Sequence, residues 1–232
     1  MRYDITFHPS WWHKNAGVDF TQEFFDDPRY RIECDVRMRK TLYEHFGDYG
    51  IGEKEPKRRP LLGTDLLAAG YLHSEILGCR IRFQADNSPQ VECLNLDEDA
   101  IGEVKVPNLD ESPVWAGIQK QMDYLKERFG YVETYVNLMG IQNIAMDLMG
   151  QEVLLSYYTA PGEVEALLEK ITELSLEVGK RFYRLSGDIS GGVTAIVRRT
   201  VPDVYLTSNC SVEMVSNDIY EKFLLKHDRR LA

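Results

Sequence analysis

"YVETYVNLMG", Tyr131–Gly140, mixes β-branched, aromatic and apolar residues and closes on a glycine, the composition of a buried strand running into a turn. The clearest helical signal in the chain comes just before it. Ser112 stands as a cap, Pro113 opens the helix, Trp115, Ile118, Met122, Leu125 and Phe129 recur every three or four residues, and Gly130 ends it. After it, a short helix beginning near Ile141 leads to a long one over "TAPGEVEALLEKITELSLEVGKRFYRL", where Val164, Leu167, Leu168, Ile171, Leu174, Val178 and Phe182 form one face. That stripe reads as core packing. A strand set between helices in this way belongs to a parallel sheet.

The same alternation extends outward. "LLGTDLLAAGYLHSEILG" begins as a buried strand and turns into a helix ending at Gly78. "CRIRF" and "VECLNL", joined through "QADNSPQ", form a half-exposed hairpin. "GIGEKEPKRRP" is a polar linker, and ahead of it Asp27 and Pro28 start a helix that Gly47 closes. The first residues read as an irregular arm. On the other side, Gly187 and Gly191-Gly192 introduce "GGVTAIV", a turn follows at Pro202, and "DVYLTSN" reads as a further strand. Ser216 then caps a last helix marked by Ile219, Tyr220, Phe223, Leu224 and Leu231, with no Gly, Asn or Pro to close it. The expectation is an α/β chain with three or four core strands, against the eight of a closed barrel. It divides into an N-terminal arm and helix, 1–59, and an alternating segment with an inserted hairpin, 60–232, which is part of a (β/α)8 barrel if its sheet closes as one. A chain of this kind looks cut inside a larger fold.

Composition removes several function classes. With 44% hydrophobic residues the 232-residue chain has material for a core, and its formal charge of -10 disfavours nucleic acid, whose phosphates attract Lys and Arg clusters. No stretch approaches the roughly 20 apolar residues of a membrane helix. The N-terminus lacks the apolar centre of a signal peptide, so a cytoplasmic location is expected. Cys34, Cys79, Cys93 and Cys210 show no CxxC spacing, and the histidines form no HxH or HExxH. Walker, GxGxxG and GxSxG patterns are absent as well.

Three passages together resemble the uroporphyrinogen decarboxylase superfamily, which includes haem-synthesis decarboxylases and methyltransferases that move methyl groups between corrinoid proteins and thiols. "GTDLLAAGYLHSEILGCRIRFQADNSPQVECL" is similar to the family's first barrel strand, helix and hairpin. "YVNLMGIQNIAMDLMGQEVLLSYYTAPGEVEALLEKITE" is similar to its strand, Gly-containing loop, short helix and long helix. "DVYLTSNCSVEMVSNDIYEKFLLKHDRRLA" is similar to its strand ending in small polar residues and the helix beyond. Coverage runs from about Pro60 to the end.

The family's decarboxylases hold substrate carboxylates with arginines of an N-terminal loop, whereas "FHPSWWHKNAGVDF" here contains none. The resemblance therefore implies the methyltransferase branch, with tetrapyrrole decarboxylation as the alternative. A third possibility is a non-catalytic half-barrel that needs a second chain to complete it. Zinc, which generates a thiolate at neutral pH, and a corrinoid are implied for a full-length relative. No cofactor is expected within this chain, because the family's zinc ligands fall on strands beyond Ala232. A small molecule, a tetrapyrrole or corrinoid, and a corrinoid protein are the implied partners.

Barrel chemistry sits at the C-terminal ends of strands. By that rule Asp65, Asn209 and Glu213 are catalytic candidates, and Thr64, Asn137, Gln142 and Cys210 are binding candidates. The resemblance implies Asp65 as the counterpart of the family's substrate-holding aspartate. Trp11 and Trp12 are candidates for stacking on a flat ligand, with anchoring of the arm as the plainer role.

Overall fold

The computed structural model describes residues 6–186 and 206–232, so "GGVTAIV", the turn at Pro202 and the start of "DVYLTSN" lie outside the described residues. The expected arm contains two helices, α1 (Pro9–Ala16) and α2 (Gln22–Asp26), followed by α3 (Pro28–Phe46). Asp27 caps α3 by accepting from the Arg29 amide, and Pro28 takes the first position, where a missing N–H costs nothing. The arm helices are short, and aromatic contacts hold them. Phe7 stacks on Trp11 with ring centroids 3.9 Å apart, and Trp12 meets Trp11 edge-on at 4.9 Å.

Strand β1 (Leu61–Gly63) pairs parallel with β4 (Glu133–Tyr135), Leu61 opposite Glu133 and Gly63 opposite Tyr135. A further parallel bridge joins Met139 to Ser208, through Ser208 N–H to the Leu138 carbonyl and Gly140 N–H to the Ser208 carbonyl. Between β1 and β4 come α4 (Leu72–Ile76), the hairpin β2 (Arg80–Gln84) and β3 (Asn87–Glu92), α5 (Glu98–Ile101) and α6 (Pro113–Phe129). The hairpin turn is tighter than expected. β3 starts at Asn87 and includes Pro89, while Leu94 and Leu96 leave the hairpin to donate to the Asp147 and Leu148 carbonyls. Proline is tolerated there because a two-stranded ladder leaves many amides unpaired.

After β4 come α7 (Ile141–Met149), α8 (Glu152–Thr159) and α9 (Pro161–Ser186). The last helix, α10, joins Asn217–Ile219, a π-spaced turn Tyr220–Leu224 and Leu225–Leu231. Ser216 caps it by accepting from the Ile219 amide. Three apolar clusters result. One packs α7, α8, α9 and α10 around Leu148, Leu168 and Phe223. A second sets Leu62, Val132 and Leu138 against α6 and α9. The third encloses Trp12, Phe20 and Phe24 with Leu66 and Leu67.

One guanidinium ties these parts together. Arg31, 1% exposed, donates from Nε and Nη2 to the Leu61 carbonyl, from Nη1 to the Phe24 and Phe25 carbonyls, and from Nη2 to Gln121 Oε1 on α6. All five N–H groups are thereby used. Arg31→Met is expected to lower stability by about 3 kcal/mol or more, because several buried acceptors lose their donor. Urea unfolding of the variant beside the wild-type chain checks this, and a loss under about 1 kcal/mol would show that the clamp is dispensable.

Candidate functional site

Two places combine polar side chains with the strand ends. The first is a cluster after β4 and around Ser208. Asn137 Oδ1 accepts from the Ser208 hydroxyl at 3.0 Å. Asn143 donates to the Cys210 sulfur at 3.3 Å and accepts from the Ser211 amide at 2.8 Å. Gln142, fully buried at the start of α7, accepts through Oε1 from the Tyr157 hydroxyl at 2.5 Å. Gly140 must be a glycine here, since a Cβ would stand 2.2 Å from the Asn209 side chain. Asn209 Oδ1 and Gln142 Nε2 are buried with no hydrogen-bond partner, one an acceptor and the other a donor. Unpaired buried polar atoms are costly in a closed core and are the atoms a ligand or ordered water can satisfy.

The second is a cavity of about 920 Å³ bounded by α2, the first turn of α3, α4 and α6, and by the ends of β1 and β4. Phe25, Tyr71, Tyr124 and Tyr135 give it aromatic walls, and Asp26 and Glu75 add carboxylates. Burial, and after it the Asp26 charge, raises the Glu75 carboxyl above its ordinary pKa. Burial also raises the Tyr71 phenol, with Glu75 and Asp26 acting in the same direction.

The residues singled out from sequence divide accordingly. Asn137, Gln142, Asn209 and Cys210 come together in the strand-end cluster, while Thr64 lines the cavity. Glu213 is exposed on the short turn Cys210–Met214. Asp65 lies in neither place. Gly63, at φ +77°, turns the chain back after β1, and Asp65 receives the Arg59 guanidinium at 2.6 Å. Arg59 also pairs with the buried Asp35 at 2.7 Å, so Asp65 belongs to a structural ion-pair network. Trp11 and Trp12 form the arm's aromatic cluster with Phe7 and Phe46. The cavity's Tyr71 and Glu75 were not singled out, although their i, i+4 spacing puts both on one helical face.

Among the described residues, no three His, Cys, Asp or Glu side chains converge to hold a metal ion. No helix among them is long and apolar enough to cross a membrane.

Beside the strand-end cluster, α4 buries His73 completely, with both ring nitrogens lacking a partner. Burial holds its pKa down to about 4, against 6.5 in an exposed histidine. Its neighbour Ser74 donates to Asp147 Oδ2 at 2.6 Å, and burial raises that carboxyl, which works in the opposite direction.

Comparison with known proteins bears on the fold. No protein-family description matches the chain, and no curated protein matches it in sequence. Among solved structures, a methyltransferase from Methanosarcina mazei superposes with a TM-score of 0.60 over 97% of this chain at 15% identity. The chain spans 59% of that protein's length. The likeness shows that this chain shares the fold of the corresponding part of that protein.

The unfolded chain binds more protons than the folded one between the two His73 pKa values, so this residue's contribution falls as pH drops from 6.5 towards 4. The loss amounts to about 3 kcal/mol over that window. Urea unfolding across pH 4–7 should show a shallower pH dependence for His73→Leu than for the wild type; superimposable slopes would refute the buried neutral imidazole.

Proposed function

We propose that this chain takes part in corrinoid-linked methyl transfer as a member of the uroporphyrinogen decarboxylase superfamily, on part of a (β/α)8 barrel, in the cytoplasm. The observation that carries the reading is the buried pair Gln142 Nε2 and Asn209 Oδ1, unpartnered at the strand ends of a fold shared with a methyltransferase. A corrinoid is rimmed with carboxamides, and a carboxamide offers both the acceptor that Gln142 lacks and the donor that Asn209 lacks. When bound, the corrinoid supplies the methyl group. The chain's own residues hold the rim: Tyr157 fixes Gln142 from behind, and Gly140 lets Asn209 approach the strand end. A corrinoid protein presenting the cofactor, or a second chain completing the barrel, is the partner in this reading.

Zinc does not fit the described residues, which assemble no set of ligands for it, and no step is assigned to it. Decarboxylation of a polycarboxylate tetrapyrrole is less favoured, because such a substrate needs cationic partners and the N-terminal loop, where the decarboxylases carry their arginines, has no arginine here. Arg31 has spent its donors on neutral acceptors, and Arg59 is held by Asp35 and Asp65.

Titration of methylcobalamin with the purified chain, followed by visible absorption, tests the proposal. Saturable binding is expected, weakened about five- to tenfold by Gln142→Leu and by Asn209→Ala, the effect of one hydrogen bond each. Adding a small thiol should then speed the loss of the methyl–cobalt absorbance. Wild-type chain that binds no corrinoid would overturn the reading.

A further inference from the structure

The α2–α4–α6 cavity has a chemistry of its own, and it involves neither Asn209 nor Gln142. Its charged lining comprises four carboxylates, Glu23, Asp26, Asp27 and Glu75, and three cations, Arg29, Arg31 and Lys120. The Asp27–Arg29 pair cancels, which leaves three carboxylates against the Arg31 and Lys120 cations. Asp27 is engaged with the Arg29 amide and guanidinium, and the Arg31 donors are saturated by carbonyls and Gln121. Asp26 accepts from Gln22, but no cation pairs with it, and neither the Glu75 carboxylate nor the Tyr71 hydroxyl has a hydrogen-bond partner among the described residues. Burial and then the Asp26 charge raise the Glu75 carboxyl, while the Arg31 cation in the cavity wall acts on Asp26 and leaves Glu75 as the uncompensated carboxylate.

The aromatic lining completes the picture. The Phe25 and Tyr71 rings meet at 88° with centroids 5.7 Å apart, forming a corner beside these carboxylates. Tyr71 is held from behind by Phe83, edge-on at 5.7 Å, so its ring is fixed in place. Ring faces are electron-rich and attract an onium group that has been stripped of water. Aromatic rings with unpaired carboxylates form the recognition chemistry of an organic ammonium, and an anion would meet them unfavourably. At about 920 Å³, the cavity exceeds what an ammonium head alone would fill.

We propose that this cavity binds an organic cation, with its ammonium head between the Phe25–Tyr71 corner and the Asp26 and Glu75 carboxylates and its body along α6. The inference stands apart from methyl transfer, and its test involves no activity.

Choline and its neutral isostere 3,3-dimethylbutan-1-ol, titrated calorimetrically into the full chain, separate charge recognition from simple apolar filling. Choline is expected to bind saturably, and the isostere at least about tenfold more weakly. Glu75→Gln, which keeps shape and relieves the repulsion with Asp26, should fold normally and weaken choline binding about fivefold or more. Tyr71→Phe should keep binding within about threefold, since the ring remains, whereas Tyr71→Leu should lose most of it. Equal affinity for the two probes, no saturable choline binding by the wild-type chain, or unchanged binding in Glu75→Gln would each overturn the assignment.

Discussion

The buried Arg31 guanidinium is the constraint on which the arrangement around β1 depends. Two of its acceptors are the Phe24 and Phe25 carbonyls at the C-terminal end of α2, where the helix carries partial negative charge. Another is the Leu61 carbonyl at the start of β1, and Gln121 links α6 to the same group. The cation thus joins four elements without a carboxylate in direct contact. Burial lowers its pKa to about 10, opposed by the charges of Asp26 and Asp27, and it stays charged at neutral pH. One turn further along α3, Asp35 receives Arg39 at 2.8 Å and Arg59 at 2.7 Å. α3 therefore grips the chain on both sides of the β1 entrance. The polar linker that separates them in sequence is bridged at both ends by buried charge.

The parts of the fold legible in the sequence were those set by neighbouring residues. Asp27-Pro28, Ser112-Pro113 with Gly130, and Ser216 all cap where the pattern placed them. The 26-residue α9 buries the stripe read from its period. The arm was illegible for a different reason. α1 and α2 have eight and five residues, too few to be stable by propensity. They exist because Phe7, Trp11 and Trp12 close over α3, and His8 caps α1 through its ring. In the hairpin, Asn87 and Pro89 carry turn chemistry, but pairing of Gln84 with Asn87 draws them into the ladder.

For the candidate site the division is between register and fold-back. The strand-end rule pointed to Asn137, and its proximity to Ser208 follows from the parallel pairing two residues later. Asp65 was expected at the barrel mouth because it follows a strand. No pattern signals that Gly63 takes positive φ, or that its hydrogen in place of a side chain lets the chain pass Tyr135, whose carbonyl oxygen would be 2.3 Å from a Cβ. That turn carries Asp65 back to Arg59. The cavity was hidden for a similar reason, since its walls come from helices far apart in sequence, α2 and α3 on one side and α4 and α6 on the other.

α4 brings the two places against each other. In five residues, with Tyr71 as its flanking residue, it presents Tyr71 and Glu75 to the cavity and buries His73 and Ser74 on the other side. The Ser74 hydroxyl reaches Asp147 on α7, and it lies 3.9 Å from the Met139 sulfur at the strand end. Four residues of a helix span about one turn, so alternate positions must face different surroundings. A segment this short has too few internal hydrogen bonds to hold its own shape. Its geometry is set by what packs on each side: α6 and the aromatic corner on one, α7 and the strand-end cluster on the other. The wall between the cavity and the cluster is therefore a consequence of both, and the sequence of α4 by itself carries little sign of either.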